Sequence, residues 1–145
     1  MSETDRTTRI TQVGTVIVPV SDQDRALEFY VGTLGFEKRL DAPFGDGGRW
    51  VEVAPPGAAS QVTLVQARDG RAAGIETGLS FNSTDVEADH AALRARGVDV
   101  DEAILGEDDP PVPWAGGVLA GIPPMFLVRD PDGNSFLIVA TLDQT

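Results

Sequence analysis

Residues 13–36, VGTVIVPVSDQDRALEFYVGTLGF, decide the fold. The segment 13–20 is short, apolar and rich in β-branched side chains, which reads as a buried strand. Pro19 has no N–H to give to a ladder, so it belongs at a strand end or a sheet edge. Ser21 or Asp22 then caps a helix, and the acids Asp22 and Asp24 sit near its positive N-terminal end. Ala26, Phe29, Tyr30 and Leu34 recur at helical spacing and give that helix its apolar face. Gly35 stops it, and Phe36 opens the next strand, 36–40. A turn at Gly45-Asp46-Gly47-Gly48 leads to a strand over 49–53. Pro55-Pro56-Gly57 breaks that strand, and QVTLVQ at 61–66 is the fourth. Residues 69–74 form a polar connection.

The pattern then begins again. GLSFN at 78–82 predicts a strand. Residues 85–96 predict a helix with Val86, Ala92 and Leu93 inward, stopped by Gly97. A strand over 98–103 follows, then a hairpin of 126–128 and 135–140 around Asp130-Pro131-Asp132-Gly133-Asn134, where glycine takes positive φ freely. The order β-α-β-β-β therefore occurs twice, and a duplication of this length outweighs any single motif. The expected fold is α+β, with two βαβββ modules whose curved sheets enclose a cleft. The expected organisation is a flexible leader over 1–12 and a single domain over 13–145, with module one at 13–72 and module two at 73–142. Residues 106–124, with five prolines and four glycines, interrupt the second copy. A long irregular loop inside a compact domain is usually functional or disordered, and Trp114 sits in its middle, placed to close over a flat ligand or to staple the loop.

A chain of 145 residues is long enough to fold as one domain without disulfide or metal. The absence of cysteine removes thiolate chemistry and suits a reducing cytoplasm. No apolar run reaches the ~20 residues a membrane helix needs. The formal net charge of −12, from 23 acidic and 11 basic residues, argues against nucleic acid, whose phosphates require Lys and Arg. It favours solubility, and it draws cations toward any acidic groove.

Val20-Ser21-Asp22 with Ala26, Phe29-Tyr30 and Leu34-Gly35-Phe36 resembles the first-module signature of the vicinal-oxygen-chelate superfamily, the glyoxalase/bleomycin-resistance/extradiol-dioxygenase group. Phe126 with Asp130-Pro131-Asp132-Gly133-Asn134 is similar to the signature closing the second module. The resemblance spans about residues 13–140. It implies a curved eight-stranded cup that holds a small molecule, and commonly a homodimer, with the modules paired within one chain or exchanged between two. The connection at 69–74 is long enough for either. Metal-dependent members take one His or Glu from each of four strands. Those positions fall here at Thr15, near Thr63, at Gly78 and at Leu137, so the resemblance implies a member without the usual metal ligands. No cofactor is expected.

Other chemistries find little support. The single histidine, His90, lies in the second predicted helix, where a solvent-facing role is expected; one imidazole cannot build a two-His facial triad. No serine has a histidine partner. Asp130 and Asp132 belong to the hairpin turn. Glu52 is the one acid inside the strongest strands of the first copy, and alternation places it with Trp50, opposite Arg49, Val51 and Val53. If that face lines the cup, Glu52 and Trp50 contact the ligand, and a buried Glu52 with a raised pKa is the candidate general base. Phe44, Phe81, Trp114 and Phe126 are further candidates for stacking. Three readings follow. The first is a binding protein for a small aromatic or cationic ligand, as in bleomycin-binding relatives. The second is a lyase, isomerase or dioxygenase with non-standard ligands. The third is a structural partner whose cleft is filled by its own side chains.

Overall fold

The computed structural model describes residues 7–114 and 116–141; the first half of the expected leader and the last four residues lie outside them. Strand β1 (Thr15–Val20) leads into helix α1 (Gln23–Leu27) and a wider π turn (Glu28–Thr33). Strands β2 (Glu37–Phe44), β3 (Gly48–Ala54) and β4 (Gln61–Gln66) complete a four-stranded sheet of order β1-β4-β3-β2. The chain then repeats itself with β5 (Glu76–Ser83), α2 (Val86–Ala95), the short β6 (Asp99–Val100), an inserted ribbon of β7 (Val112–Trp114) and β8 (Gly117–Leu119), and finally β9 (Met125–Arg129) and β10 (Ser135–Ala140). The second sheet has the order β5-β10-β9-β6. With the ribbon set aside, this is the same order in both halves: the first strand lies beside the fourth. The repeated β-α-β-β-β order read from the sequence is therefore present. That first-to-fourth pair is parallel in each sheet and the other pairs are antiparallel, so antiparallel pairing does not describe every neighbour.

The helices begin and end where the sequence places their caps. Asp22 Oδ1 accepts from the backbone N–H groups of Asp24 and Arg25 at 3.0 and 3.1 Å, and Asp85 Oδ1 accepts from Ala88 at 3.0 Å. Each bond satisfies a helical donor that has no intrahelical acceptor. Gly35 and Gly97 follow at φ 81° and 77°, the left-handed conformation that ends a helix cheaply only with glycine.

Four expectations are corrected. The first helix does not run unbroken to residue 35: its second part widens, with Leu34 N–H bonding to Phe29 C=O. Phe29 and Tyr30, on the wider part, are buried in the core as the expected apolar face requires. The strand expected over 98–103 is only two residues long: Asp101 N–H still bonds Leu127 C=O of β9, but its own carbonyl goes to His90 and the ladder stops there. His90 is half-buried rather than solvent-facing: its Nε2 lies 2.8 Å from the Asp101 carbonyl, and its ring packs edge-on against Phe126. Ala92 is exposed, while Val86 and Leu93 are buried as expected.

Alternation decides which faces are dry. Val18, Val20, Val51, Val53, Val62 and Leu64 point to the helix side of the first sheet, and Phe126, Val128, Phe136 and Ile138 to the helix side of the second; together they form one core. Each such side chain contributes about 1.5–3 kcal/mol on burial. The halves are also clasped by polar groups. Asn134, fully buried, donates to Pro19 C=O at 2.8 Å and to Asp130, and accepts from Gly74 and Ile75 N–H. Tyr30 Oη donates to Asp130 at 2.9 Å. Asp132 receives Arg25 at 2.8 Å and both the N–H and hydroxyl of Ser21. The Asp-Pro-Asp-Gly-Asn hairpin thus makes its own turn and also fastens the second module to the first.

Candidate functional site

The faces turned away from the helices are the ones free for a ligand. On the first sheet, cross-strand register sets Leu40 beside Glu52, Ala42 beside Trp50, and Glu52 beside Thr63, which in turn pairs with Ile17. Trp50 and Phe44 pack together, ring centroids 5.0 Å apart. Trp50 Nε1 donates to Glu52 Oε2 at 2.8 Å. Phe44 is 47% and Leu40 44% exposed, so this face presents aromatic and aliphatic surface to solvent beside one carboxylate.

Beneath them lies a polar pair. Thr15 Oγ1 and Thr63 Oγ1 are 2.6 Å apart, and Thr15 also donates to Gln61 C=O. Thr63 is fully buried, so a hydroxyl there needs this partner. These are the two first-module positions at which metal-dependent relatives would carry a ligand. The structure brings them together and fills them with mutually bonded hydroxyls. The corresponding positions of the second module offer no donor: Gly78 lies in the irregular stretch of the β5–β10 register, and Leu137 is apolar and buried. Among the described residues no group of three or more His, Asp or Glu side chains is placed to share an ion. The described residues at these positions therefore do not supply the roughly three imidazole or carboxylate ligands that a divalent catalytic ion needs.

The second sheet's corresponding face is covered. Met125, Leu127 and Leu137 line a cavity of about 230 Å³ with Leu105, Val112 and Leu119, the last two from the β7–β8 ribbon. The interrupted region 106–124, expected to be an irregular loop, is in part this ribbon. Trp114 lies on it, on the same face as Val112 by alternation. The candidate residues are thus divided. Trp50, Glu52 and Phe44 share one face of the first sheet, and Trp114 belongs to the ribbon over the second. Phe81 and Phe126 lie on helix-side positions, Phe81 against Phe36 and Phe136, Phe126 against His90, and Phe126 also borders the cavity beneath the ribbon. The resemblance placed Leu137 at a metal position of the cup, but sequence reasoning missed Leu127 as its neighbour on the face turned away from the helix. Their alternation with Phe126, Val128, Phe136 and Ile138 is hidden because both faces of β9 and β10 are apolar.

Among the described residues three groups have shifted acidity, none of them on these open faces. Burial, with the Asp130 carboxylate beside it, pushes the Tyr30 hydroxyl well above its usual range. The Arg49 hydrogen bond holds Asp41 below the usual carboxylate range, and Asp41 and Asp24 raise Arg49 in return.

The described residues contain no helix long and apolar enough to cross a membrane. The chain's residues 12–138 match the Glyoxalase/Bleomycin resistance protein/Dioxygenase superfamily. A protein of Bacillus subtilis (strain 168), YetH, is 30% identical over 130 residues, covering 89% of this chain and 98% of the relative. Two solved structures are similar along almost the whole chain. TnmS3, an antibiotic binding protein from Streptomyces sp. CB03234, is 35% identical with a TM-score of 0.72, over 93% of this chain and 99% of that one. A superfamily member from Sphaerobacter thermophilus DSM 20745 is 36% identical with a TM-score of 0.73, over 92% and 100%. With the doubled strand order, the paired signatures and a match over most of its length, this chain belongs to the Glyoxalase/Bleomycin resistance protein/Dioxygenase superfamily.

Proposed function

We propose that this chain is a small-molecule binding protein. It holds an aromatic ligand, with or without a positive charge, on the sheet faces turned away from the helices, and it uses no metal. One observation carries this reading: the first-module metal positions are a closed Thr15–Thr63 hydroxyl pair at 2.6 Å, set beside the exposed Phe44–Trp50 aromatic surface. An aromatic ligand stacks on Trp50 and Phe44, and Glu52, already oriented by the Trp50 N–H, receives a donor or cationic group of the ligand. The net charge of −12 speeds the arrival of a cation. Similarity to an antibiotic binding protein supports the binding of a small molecule. No turnover is assigned to Glu52.

The binding unit is the single domain over 13–145, acting as a homodimer. Val118 and Ile122 are large apolar side chains left exposed away from the ligand face, and a second copy is the partner that covers such surface symmetrically.

The test is thermal melting in EDTA buffer with doxorubicin, which is flat and carries an amine, with metal-free bleomycin, and with catechol. A ligand that binds only the native state raises Tm. The expected result is a saturable rise of several degrees with doxorubicin, bleomycin or both, reduced in Trp50→Ala. No rise with any of the three in EDTA, with a rise for catechol once a transition metal is added, overturns the reading. Sedimentation at micromolar protein tests the dimer, with a monomer as the contrary result.

A further inference from the structure

The β7–β8 ribbon has no counterpart in the first half. There, β2 passes to β3 through residues 45–47; in the second half the equivalent passage from β6 to β9 takes residues 101–124. The base of this insertion is pinned: a side chain at Gly121, whose φ is +70°, would collide with the Gly106 carbonyl, so only glycine closes it. Gly106 in turn fixes Asp109. The Gly106 N–H donates to Asp109 Oδ2 at 2.7 Å, and the Gly106 carbonyl accepts from the Asp109 N–H at 3.1 Å. The Asp109 carboxylate is therefore held in place before any ligand arrives.

Asp109 borders the half-open cavity of about 230 Å³ that the ribbon walls. Leu105, Val112, Leu119, Leu127 and Leu137 give this cavity an apolar lining, and among the described residues around it the one other charged side chain is Asp101. Asp101 is neutralised: its Oδ1 receives Arg129 at 3.1 Å, and its Oδ2 receives the Leu127 N–H. Asp109 differs. Its carboxylate is bonded to a neutral N–H and has no ion-pair partner among the described residues. A carboxylate accepts about four hydrogen bonds, so capacity for a donor remains. The cavity thus joins an apolar wall to one uncompensated negative charge, and Asp109 is exposed at its rim.

We propose that Asp109 selects ligands carrying a protonated amine beside an apolar ring system. The rings sit over Leu127 and Leu137, and the ammonium donates to Asp109 at the rim. The proposal rests on the binding function above and adds that the ligand is a cation read by the ribbon, which leaves Glu52 for a neutral donor. At the rim the ammonium keeps part of its hydration, so the ion pair forms without the cost of full burial. A neutral ring of the same shape gains the apolar contact alone.

The test uses a matched pair, 2-aminotetralin, protonated at neutral pH, and uncharged 2-tetralol, titrated at low salt into protein labelled for amide and methyl resonances. The expected result is that the amine binds wild-type protein about fivefold more tightly than the alcohol, the scale of one exposed ion pair. Both compounds shift the Leu127 and Leu137 methyl signals, and the Asp109 amide signal moves with the amine alone. High salt brings the amine's affinity down to that of the alcohol. Asp109→Asn keeps an acceptor for the Gly106 N–H and removes the charge, so it binds the two compounds alike. Equal affinity of the pair for wild-type protein, or a preference for the amine that persists in Asp109→Asn, overturns the proposal and leaves the binding function standing. Persistence in Asp109→Asn with loss in Glu52→Gln moves the charge contact to Glu52. If neither compound shifts Leu127 or Leu137, the proposal fails; the binding function fails with it only where doxorubicin also leaves Tm unchanged. The Asp109 amide signal in wild-type protein keeps the test decisive if the variant fails to fold.

Discussion

The two halves of the chain share one strand order and differ in what lies over the face away from the helix. In the first half a tight turn at residues 45–47 joins the two hairpin strands, and the face they share with β4 shows Leu40, Phe44 and Trp50 to solvent. In the second half the same connection is replaced by residues 101–124, whose ribbon lies over Leu127 and Leu137 and walls one side of a half-open cavity. The helix-side faces do not differ in this way; both are apolar and contribute to one core. A duplicated module keeps the face that folds it and is free to vary the face that does not. Divergence of function then concentrates on strand connections and outward positions.

That contrast predicts a separation between substitutions on the two faces. The largest effect is expected from Phe126→Ala on the helix side, at about 3–5 kcal/mol of stability, read by urea denaturation. Trp50→Ala on the open face should cost well under half of that, yet weaken doxorubicin about tenfold. Equal destabilisation by both would break the comparison. Next comes the clasp between halves. Asn134→Ala leaves the Gly74 and Ile75 N–H groups and the Pro19 carbonyl without their partner, at a cost of about 3 kcal/mol.

Tyr30 gives the pH dependence of the same clasp. Its folded-state pKa is raised, so its contribution is fully present below the unfolded tyrosine value of about 10 and is lost as pH rises from there toward the folded value. Alkaline unfolding should therefore begin just above pH 10, and Tyr30→Phe should flatten that limb, as followed by circular dichroism. At the acid end Asp41 behaves oppositely. Its pKa is depressed by Arg49, so its small contribution holds above the usual carboxylate range and fades as pH falls below it.

The smallest effect sharpens the account of the threonine pair. Thr63→Val alone should cost about 1 kcal/mol, because Thr15 loses its partner hydroxyl. The double variant Thr15→Val/Thr63→Val should cost no more than the single, since removing both partners leaves no orphan. A double variant that is worse by the sum of two singles would mean that the hydroxyls act separately.

Most of the fold was legible because its signals are local. Asp22 with Gly35 and Asp85 with Gly97 delimit two helices, and the Pro-Pro-Gly and Asp-Gly turns separate the strands. The superfamily and its α+β architecture follow from that repetition and from the paired signatures. What was not legible depends on distant partners. Nothing near His90 signals that it reaches the Asp101 carbonyl, and nothing in residues 28–33 signals that the helix widens there. The ribbon escaped notice because prolines and glycines dominate 106–124 while its strands are only three residues each. The candidate site was legible by half. Alternation in β3 grouped Trp50 with Glu52, whereas β9 and β10, apolar on both faces, gave no period to separate Leu127 and Leu137 from the core.

Binding without a metal on the outward faces is the claim from which the rest follows, and calorimetric titration of doxorubicin tests it most directly. Protein dialysed against EDTA and untreated protein should bind with the same affinity, and added nickel, manganese or zinc should not change it. Binding that disappears on dialysis and returns with one of those ions would contradict the account.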